Sequence, residues 1–164
     1  MSFSKPLEAG MNKTKEEQLL AQVIGRVFED AAFVFSDTLE PSKRPLAGTW
    51  DAQGVSLSFT GEHSGTLRMW ASRGFACYAA ANMLGVEEGS PGAREKGMDA
   101  LRELLNIVVG NYLPLVYGED PVFDLGLPQE LFPAHLDRDR GDPGAVWLEA
   151  EGNAVMFVVD MADD

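Results

Sequence analysis

Val55-Ser56-Leu57-Ser58-Phe59-Thr60-Gly61-Glu62-His63-Ser64-Gly65-Thr66-Leu67-Arg68-Met69-Trp70 is the stretch on which the fold turns. Val55, Leu57 and Phe59 alternate with serines, the period of a half-buried strand. Gly61-Glu62-His63-Ser64-Gly65 is a turn cluster, and Thr66–Trp70 resumes the extended pattern, so the stretch predicts a hairpin. Directly behind it, Ser72 is placed to cap a small-residue helix through Phe75, Cys77, Tyr78, Ala80 and Met83, with Gly85 as its stop.

Working outward toward the N-terminus, residues 1–11 show no periodicity and read as a flexible leader, leaving 12–164 as one domain. Thr14-Lys15-Glu16-Glu17 has the form of a capping box. Leu19, Leu20, Val23, Val27, Ala31 and Val34 then recur at helical spacing, which predicts a long amphipathic helix fading near Asp37. Pro41 and Pro45 mark a connection. Toward the C-terminus, Ser90-Pro91 can open a helix, expected to end near Leu113 because Pro114 would disrupt it. Residues 118–144 are loop-rich, with a short strand around Val122–Leu125. Val146–Glu149 and Val155–Val159, joined through Glu151-Gly152-Asn153, form a second hairpin. The fold class is therefore α/β: a mixed or antiparallel sheet of hairpins packed with about three helices.

Composition narrows the function. The 164 residues hold 13 Lys and Arg against 26 Asp and Glu, a net charge of −13, with ordinary globular hydrophobicity. Such a surface repels phosphate backbones and anionic lipid, which argues against nucleic acid and membrane partners. A single cysteine, Cys77, excludes an intramolecular disulfide, and His63 and His135 lack the cysteine partners of a zinc site. The N-terminus has no signal-peptide pattern and no apolar run reaches membrane-spanning length, so a cytoplasmic location is expected. Cys77, among small apolar residues, reads as core rather than nucleophile. The Asp137–Asp142 run reads as a self-compensating solvated loop, and Asp160, Asp163 and Asp164 as solvated terminal residues.

Chemistry concentrates in Asp99-Ala100-Leu101-Arg102-Glu103-Leu104-Leu105-Asn106-Ile107-Val108-Val109-Gly110-Asn111. Leu101, Leu104, Leu105, Val108 and Tyr112 form an apolar helical face. Asp99, Glu103, Asn106 and Gly110 align on another, with Glu103 and Asn106 one turn apart. A solvated stripe would explain an isolated E-x-x-N. Asn in mid-helix followed by Gly a turn later, however, sacrifices helix propensity twice on one stripe, which favours a functional surface.

The pattern Asp99-x-x-x-Glu103-x-x-Asn106, followed by Gly110-Asn111, resembles the signature helix of the CheC/CheX/FliY chemotaxis phosphatases. The hairpin ending in Gly65–Met69 and the small-residue helix closed by Leu84-Gly85 place the resemblance in the CheX branch, over roughly residues 13–160. The resemblance implies a single-domain CheX-like fold that binds a phosphorylated CheY-like response regulator and speeds hydrolysis of its aspartyl phosphate. It implies no covalent intermediate and no cofactor of the chain's own, the Mg²⁺ belonging to the regulator. Asn106 would orient the attacking water and Glu103 would grip the regulator's lysine, with Asp99 and Gly110 as supporting motif positions. A neutral amide suits holding a water beside phosphate, whereas a carboxylate belongs opposite a cation. Family members with two sites repeat the motif; here the first helix has Leu20 where the asparagine would stand, so one site is expected. The branch also implies a homodimer. The alternative is a non-catalytic receiver-binding or flagellar-switch adaptor of the same fold.

Overall fold

The computed structural model describes residues 4–162, with side chains from Lys15 onward. The hairpin forms as expected. Strand β2 (Ala52–Gly61) pairs antiparallel with β3 (Gly65–Ser72), Val55 opposite Met69 and Leu57 opposite Leu67. Strands β6 (Val146–Ala150) and β7 (Asn153–Met161) make the second hairpin. Its turn places Glu151 and Gly152 at φ 51° and 77°, the backbone that a tight two-residue hairpin requires. With β1 (Ser36–Thr38), β4 (Phe123–Leu125) and β5 (Gln129–Leu131), these build a seven-stranded sheet. Its order is β1-β6-β7-β3-β2-β4, with β5 also paired to β2, and every pairing is antiparallel.

Three long helices pack on this sheet: α1 (Ser4–Ala32), α2 (Arg73–Leu84) and, further along the chain, α4 (Gly97–Tyr117). Two five-residue helices, α3 (Pro91–Glu95) and α5 (Leu136–Arg140), complete the set among the described residues. The Ser72 hydroxyl accepts the Phe75 N–H at the start of α2, and Gly85 closes that helix at φ 70°. Ser90 caps α3 in the same way.

Three expectations about helices need correction. α1 begins at Ser4, so Thr14 lies inside it rather than at its cap; Pro6 falls in the first turn, where its missing N–H is harmless. Residues 1–3 of the expected leader lie outside the described residues. The helix expected from Ser90 to Leu113 is broken at Lys96 (φ −98°, ψ 6°) and resumes at Gly97, which rests on Ala76: a Cβ there would lie 3.3 Å from the alanine methyl. At its far end α4 runs through Pro114 to Tyr117. Proline in the final turn forfeits a single bond, the one its position would donate to the Gly110 carbonyl.

The main core lies between the sheet and α1, α2 and α4, where Ile24, Phe28, Phe75, Leu101, Leu104, Leu105, Leu67, Met69 and Phe157 are all buried. Because strand side chains alternate, Trp70, Trp147, Met156 and Val158 face the opposite side of the sheet. There Leu39, Trp50, Leu131 and Leu136 cover them, which gives the loop-rich 118–144 region a packing role.

That side also overturns the reading of Asp137–Asp142 as solvated. Asp139 is 1% exposed. It accepts hydrogen bonds from Arg68 Nε at 2.8 Å and Nη2 at 3.0 Å, and from Trp70 Nε1 at 2.8 Å. Asp160 takes Arg68 Nη1 at 3.3 Å. Burial works against the Arg68 charge, but the hydrogen bond and charge of Asp139, then those of Asp160, outweigh it and raise the pKa above arginine's usual value. This fork-to-carboxylate contact fastens α5 to β3. Trp70 reaches it by packing across Gly54, its partner in register, where a Cβ would lie 2.6 Å from the indole ring.

Candidate functional site

α4 packs against α1, α2, β2 and β3, and its apolar face fixes its rotation. Ala100, Leu101, Leu104, Leu105, Val108, Val109, Tyr112 and Leu113 are buried. Burial, with Glu16 nearby, pushes the Tyr112 phenol above its ordinary pKa and keeps it neutral. Asp99, Glu103, Asn106 and Gly110 are all exposed, so the four positions singled out in the sequence share one outward face.

The side chains of that face differ in their engagement. Asp99 receives Arg102 Nη1 at 3.0 Å and faces Lys96 Nζ at 3.5 Å. Among the described residues, Glu103 and Asn106 have no hydrogen-bonding or ionic partner. The neighbouring amide is already committed: Asn111 Nδ2 donates to the Ile107 carbonyl at 2.7 Å. Asn106 is thus a free amide beside a free carboxylate, about 5–6 Å away at Cβ by helix geometry. One turn further, a Cβ on Gly110 would meet nothing within 4 Å. Nothing in the chain's own packing asks for glycine there, and Pro114 leaves the Gly110 carbonyl without its helical donor.

The sequence reading missed the two cations around Asp99. Their signal was the spacing of Lys96, Asp99 and Arg102 at i, i+3 and i+6 along one face. The other candidate residues lie elsewhere. Leu20, at the asparagine position of α1, is 2% exposed and belongs to the core. Cys77 is half-buried in α2 and carries no bond. His63 stacks on Tyr117 with ring centroids 4.2 Å apart, and His135 sits in a 3-10 turn before α5. Among the described residues, no three His, Cys, Asp or Glu side chains are grouped to hold a metal ion, and no helix is long and apolar enough to cross a membrane.

A cavity of about 720 Å³ lies between α1 and the β1 edge, lined by residues such as Ala21, Gly25, Arg26, Asp37 and Leu148. No residue of α4 contributes to it. The signature face is an exposed helix surface, suited to meeting another molecule.

Comparison with known proteins bears on the fold and the family. The family model described as chemotaxis phosphatase CheX matches residues 54–138, which run from β2 through the whole of α4 into α5. No curated protein matches the chain. Among solved structures, the chain resembles the Borrelia burgdorferi CheX–CheY–BeF3–Mg²⁺ complex at 15% identity and TM-score 0.64, over 89% of this chain and 97% of that one. It resembles CheX from Vibrio vulnificus at 17% identity and TM-score 0.62, covering 88% and 95%. FliY from Thermotoga maritima aligns at 14% identity and TM-score 0.53, with 91% of each chain covered. At such identities the structural matches speak for the fold alone, whereas the family model spans just over half the sequence and includes the helix bearing Asp99, Glu103, Asn106 and Gly110. Taken with the antiparallel sheet and its three packed helices, that match makes the chain a member of the CheX family of chemotaxis phosphatases.

Proposed function

We propose that the chain hydrolyses the aspartyl phosphate of a CheY-like receiver domain, with Asn106 as the water-orienting group and Glu103 as the docking group. The observation that carries this reading is the unpartnered pair itself: carboxylate and carboxamide one turn apart on the exposed face of a helix held rigid by its opposite face.

An acyl phosphate is already reactive, so its hydrolysis needs positioning and electrostatics more than covalent help. Asn106 offers both halves of the task. Its Oδ1 accepts a hydrogen bond from the attacking water and its Nδ2 donates to a phosphoryl oxygen. Water oxygen bonds to phosphorus, the bond from phosphorus to the aspartyl oxygen breaks, and aspartate and inorganic phosphate result. Glu103 would be repelled by the phosphoryl group and attracted by a lysine beside it, which fixes the angle at which α4 enters. The Mg²⁺ that offsets phosphoryl charge is the receiver's, and the reaction takes place in the cytoplasm where such receivers act. The assembled form is a homodimer.

The test follows the lifetime of a phosphorylated CheY-type receiver with substoichiometric chain present. Acceleration is expected. Asn106→Ala should lower the catalysed rate roughly 100-fold, the scale of misplacing a reactant, with binding retained. Glu103→Ala should chiefly weaken binding. Full activity of Asn106→Ala would refute the assignment, and tight binding by the wild-type chain without acceleration would establish the adaptor reading instead.

A further inference from the structure

Docking on a phosphorylated receiver poses an electrostatic difficulty that the working pair does not resolve. The phosphoryl group is anionic, and a Mg²⁺-binding site around it is built from carboxylates. Glu103 is negative, Asn106 is neutral, and the chain as a whole carries −13. Neither member of the pair distinguishes a phosphorylated partner from an unphosphorylated one by charge. A cation of this chain beside the pair would supply that discrimination.

Several cations elsewhere in the fold are occupied, and Arg26 borders α4 at Asn111 and Leu115, off the stripe that bears Glu103 and Asn106. Arg68 is buried against Asp139, Arg73 pairs with Asp51, Arg140 donates to the Pro45 carbonyl and Arg44 lies over Trp147. By contrast, Lys96 and Arg102 both meet Asp99 at the start of the signature helix. Arg102 is adjacent to Glu103 and four residues before Asn106, which puts its Cβ about 5–6 Å from that of the asparagine. Its side chain is 35% exposed, so its stem is partly packed, and one Nη1 donor is spent on Asp99. The remaining guanidinium N–H groups are uncommitted among the described residues.

We propose that Arg102, steadied by Asp99, is the specificity-determining residue that makes docking depend on the partner's phosphoryl group. Resting on the phosphatase reading above, this gives Asp99 a task as well: it is a positioning residue that holds the guanidinium at the edge of the stripe. A planar guanidinium fork suits a phosphoryl oxygen pair in a way that a lysine does not. Were the Asp99–Arg102 contact only an exposed helix pair, its loss would alter neither stability nor binding appreciably.

The experiment measures affinity for one CheY-type receiver in two forms, unmodified and activated with beryllofluoride and Mg²⁺, for wild type, Arg102→Ala, Arg102→Lys and Asp99→Asn. Thermal unfolding of each variant reports folding separately. Arg102→Ala should weaken binding of the activated form roughly ten-fold or more, the scale of a charge-assisted hydrogen bond, while binding of the unmodified form changes little. Arg102→Lys should recover part of the loss, and Asp99→Asn should show a smaller loss of the same selectivity at unchanged thermal stability. The KM for the phosphorylated receiver should rise in Arg102→Ala with kcat nearly kept, the reverse of Asn106→Ala. A wild-type chain that shortens the phosphoryl lifetime, with an activated-to-unmodified affinity ratio equal in wild type and Arg102→Ala, overturns the role of the arginine alone. A wild-type chain that neither binds nor dephosphorylates the receiver overturns both readings.

Discussion

Gly110→Ala separates what the fold requires of α4 from what a partner requires. Glycine in a helix interior costs about 0.5–1 kcal/mol relative to alanine, because more backbone freedom is lost on folding. That cost is normally accepted when a neighbour occupies the space of the Cβ, as Ala76 does opposite Gly97. At Gly110 a Cβ would meet nothing within 4 Å, and the residue is helical, so alanine can take its place without strain. The substitution should therefore stabilise the isolated chain by about 0.5–1 kcal/mol, or a rise in Tm of about 1–4 °C for a domain of this size. In the docked complex the sign reverses. Gly110 lies one turn beyond Asn106 on the same exposed face, and a methyl added to a close-packed contact costs about 1–3 kcal/mol. At about 1.4 kcal/mol per factor of ten, this weakens docking roughly 5- to 140-fold. Denaturant unfolding gives the first quantity and receiver binding the second. A destabilised Gly110→Ala chain would show that the fold itself needs the glycine, and a stabilised chain with wild-type affinity would show that no partner approaches this turn.

Two further outcomes follow from other parts of the molecule. Asp139→Ala leaves the Arg68 guanidinium and the Trp70 indole N–H without their shared acceptor, and should destabilise the chain by about 3–5 kcal/mol in urea unfolding; a loss below about 1 kcal/mol would mean that Asp160 or water replaces it. The proposed homodimer would form along the sheet edge at β1, beside which Phe33 and Phe35 are 68% and 71% exposed. Sedimentation equilibrium should show a dimer that Phe35→Ser shifts toward monomer, and a monomeric wild-type chain at micromolar concentration would refute it.

Sequence periodicity found the parts of the fold that obey a single local rule. The Val55–Phe59 alternation, the Ser72 and Ser90 caps, the Gly85 stop and the Glu151-Gly152 turn all act within a few residues, and all stand where expected. The outward stripe of α4 was legible for the same reason, since helical spacing alone assigns Asp99, Glu103, Asn106 and Gly110 to one face. Asp139 escaped because its partners, Arg68 and Trp70, are about seventy residues away in sequence. A local reading of Asp137-Arg138-Asp139-Arg140 sees charges that cancel, whereas the fold takes one of them inside. A clue lay in β3, where Arg68 shares a face with Trp70 in a strand otherwise apolar at its centre; an arginine there needs a buried acid. Lys96 and Pro114 misled for a different reason. The break at Lys96 is set by how closely α4 approaches α2, and the cost of Pro114 depends on how near it lies to the end of the helix, neither of which periodicity encodes.

The two faces of α4 also follow opposite rules. On the buried face packing decides: Ala100, Leu101, Leu104 and Leu105 are good helix formers, and the weaker formers Val108, Val109 and Tyr112 are repaid by the apolar surface they bury. The exposed face, where packing imposes nothing and propensity should be free to choose, instead carries Asn106, Gly110 and Pro114. Solvent does not ask for an amide that competes with its own backbone, a glycine that nothing crowds, or a proline that strips a carbonyl of its donor. Each of these choices weakens the helix, and all three fall on the stripe that bears Glu103. A sequence that departs from local consistency at consecutive turns of a single stripe is answering to something outside the chain. A partner that inserts Asn106 into its own site, passes closely over Gly110 and meets Glu103 with a cation would impose those departures together.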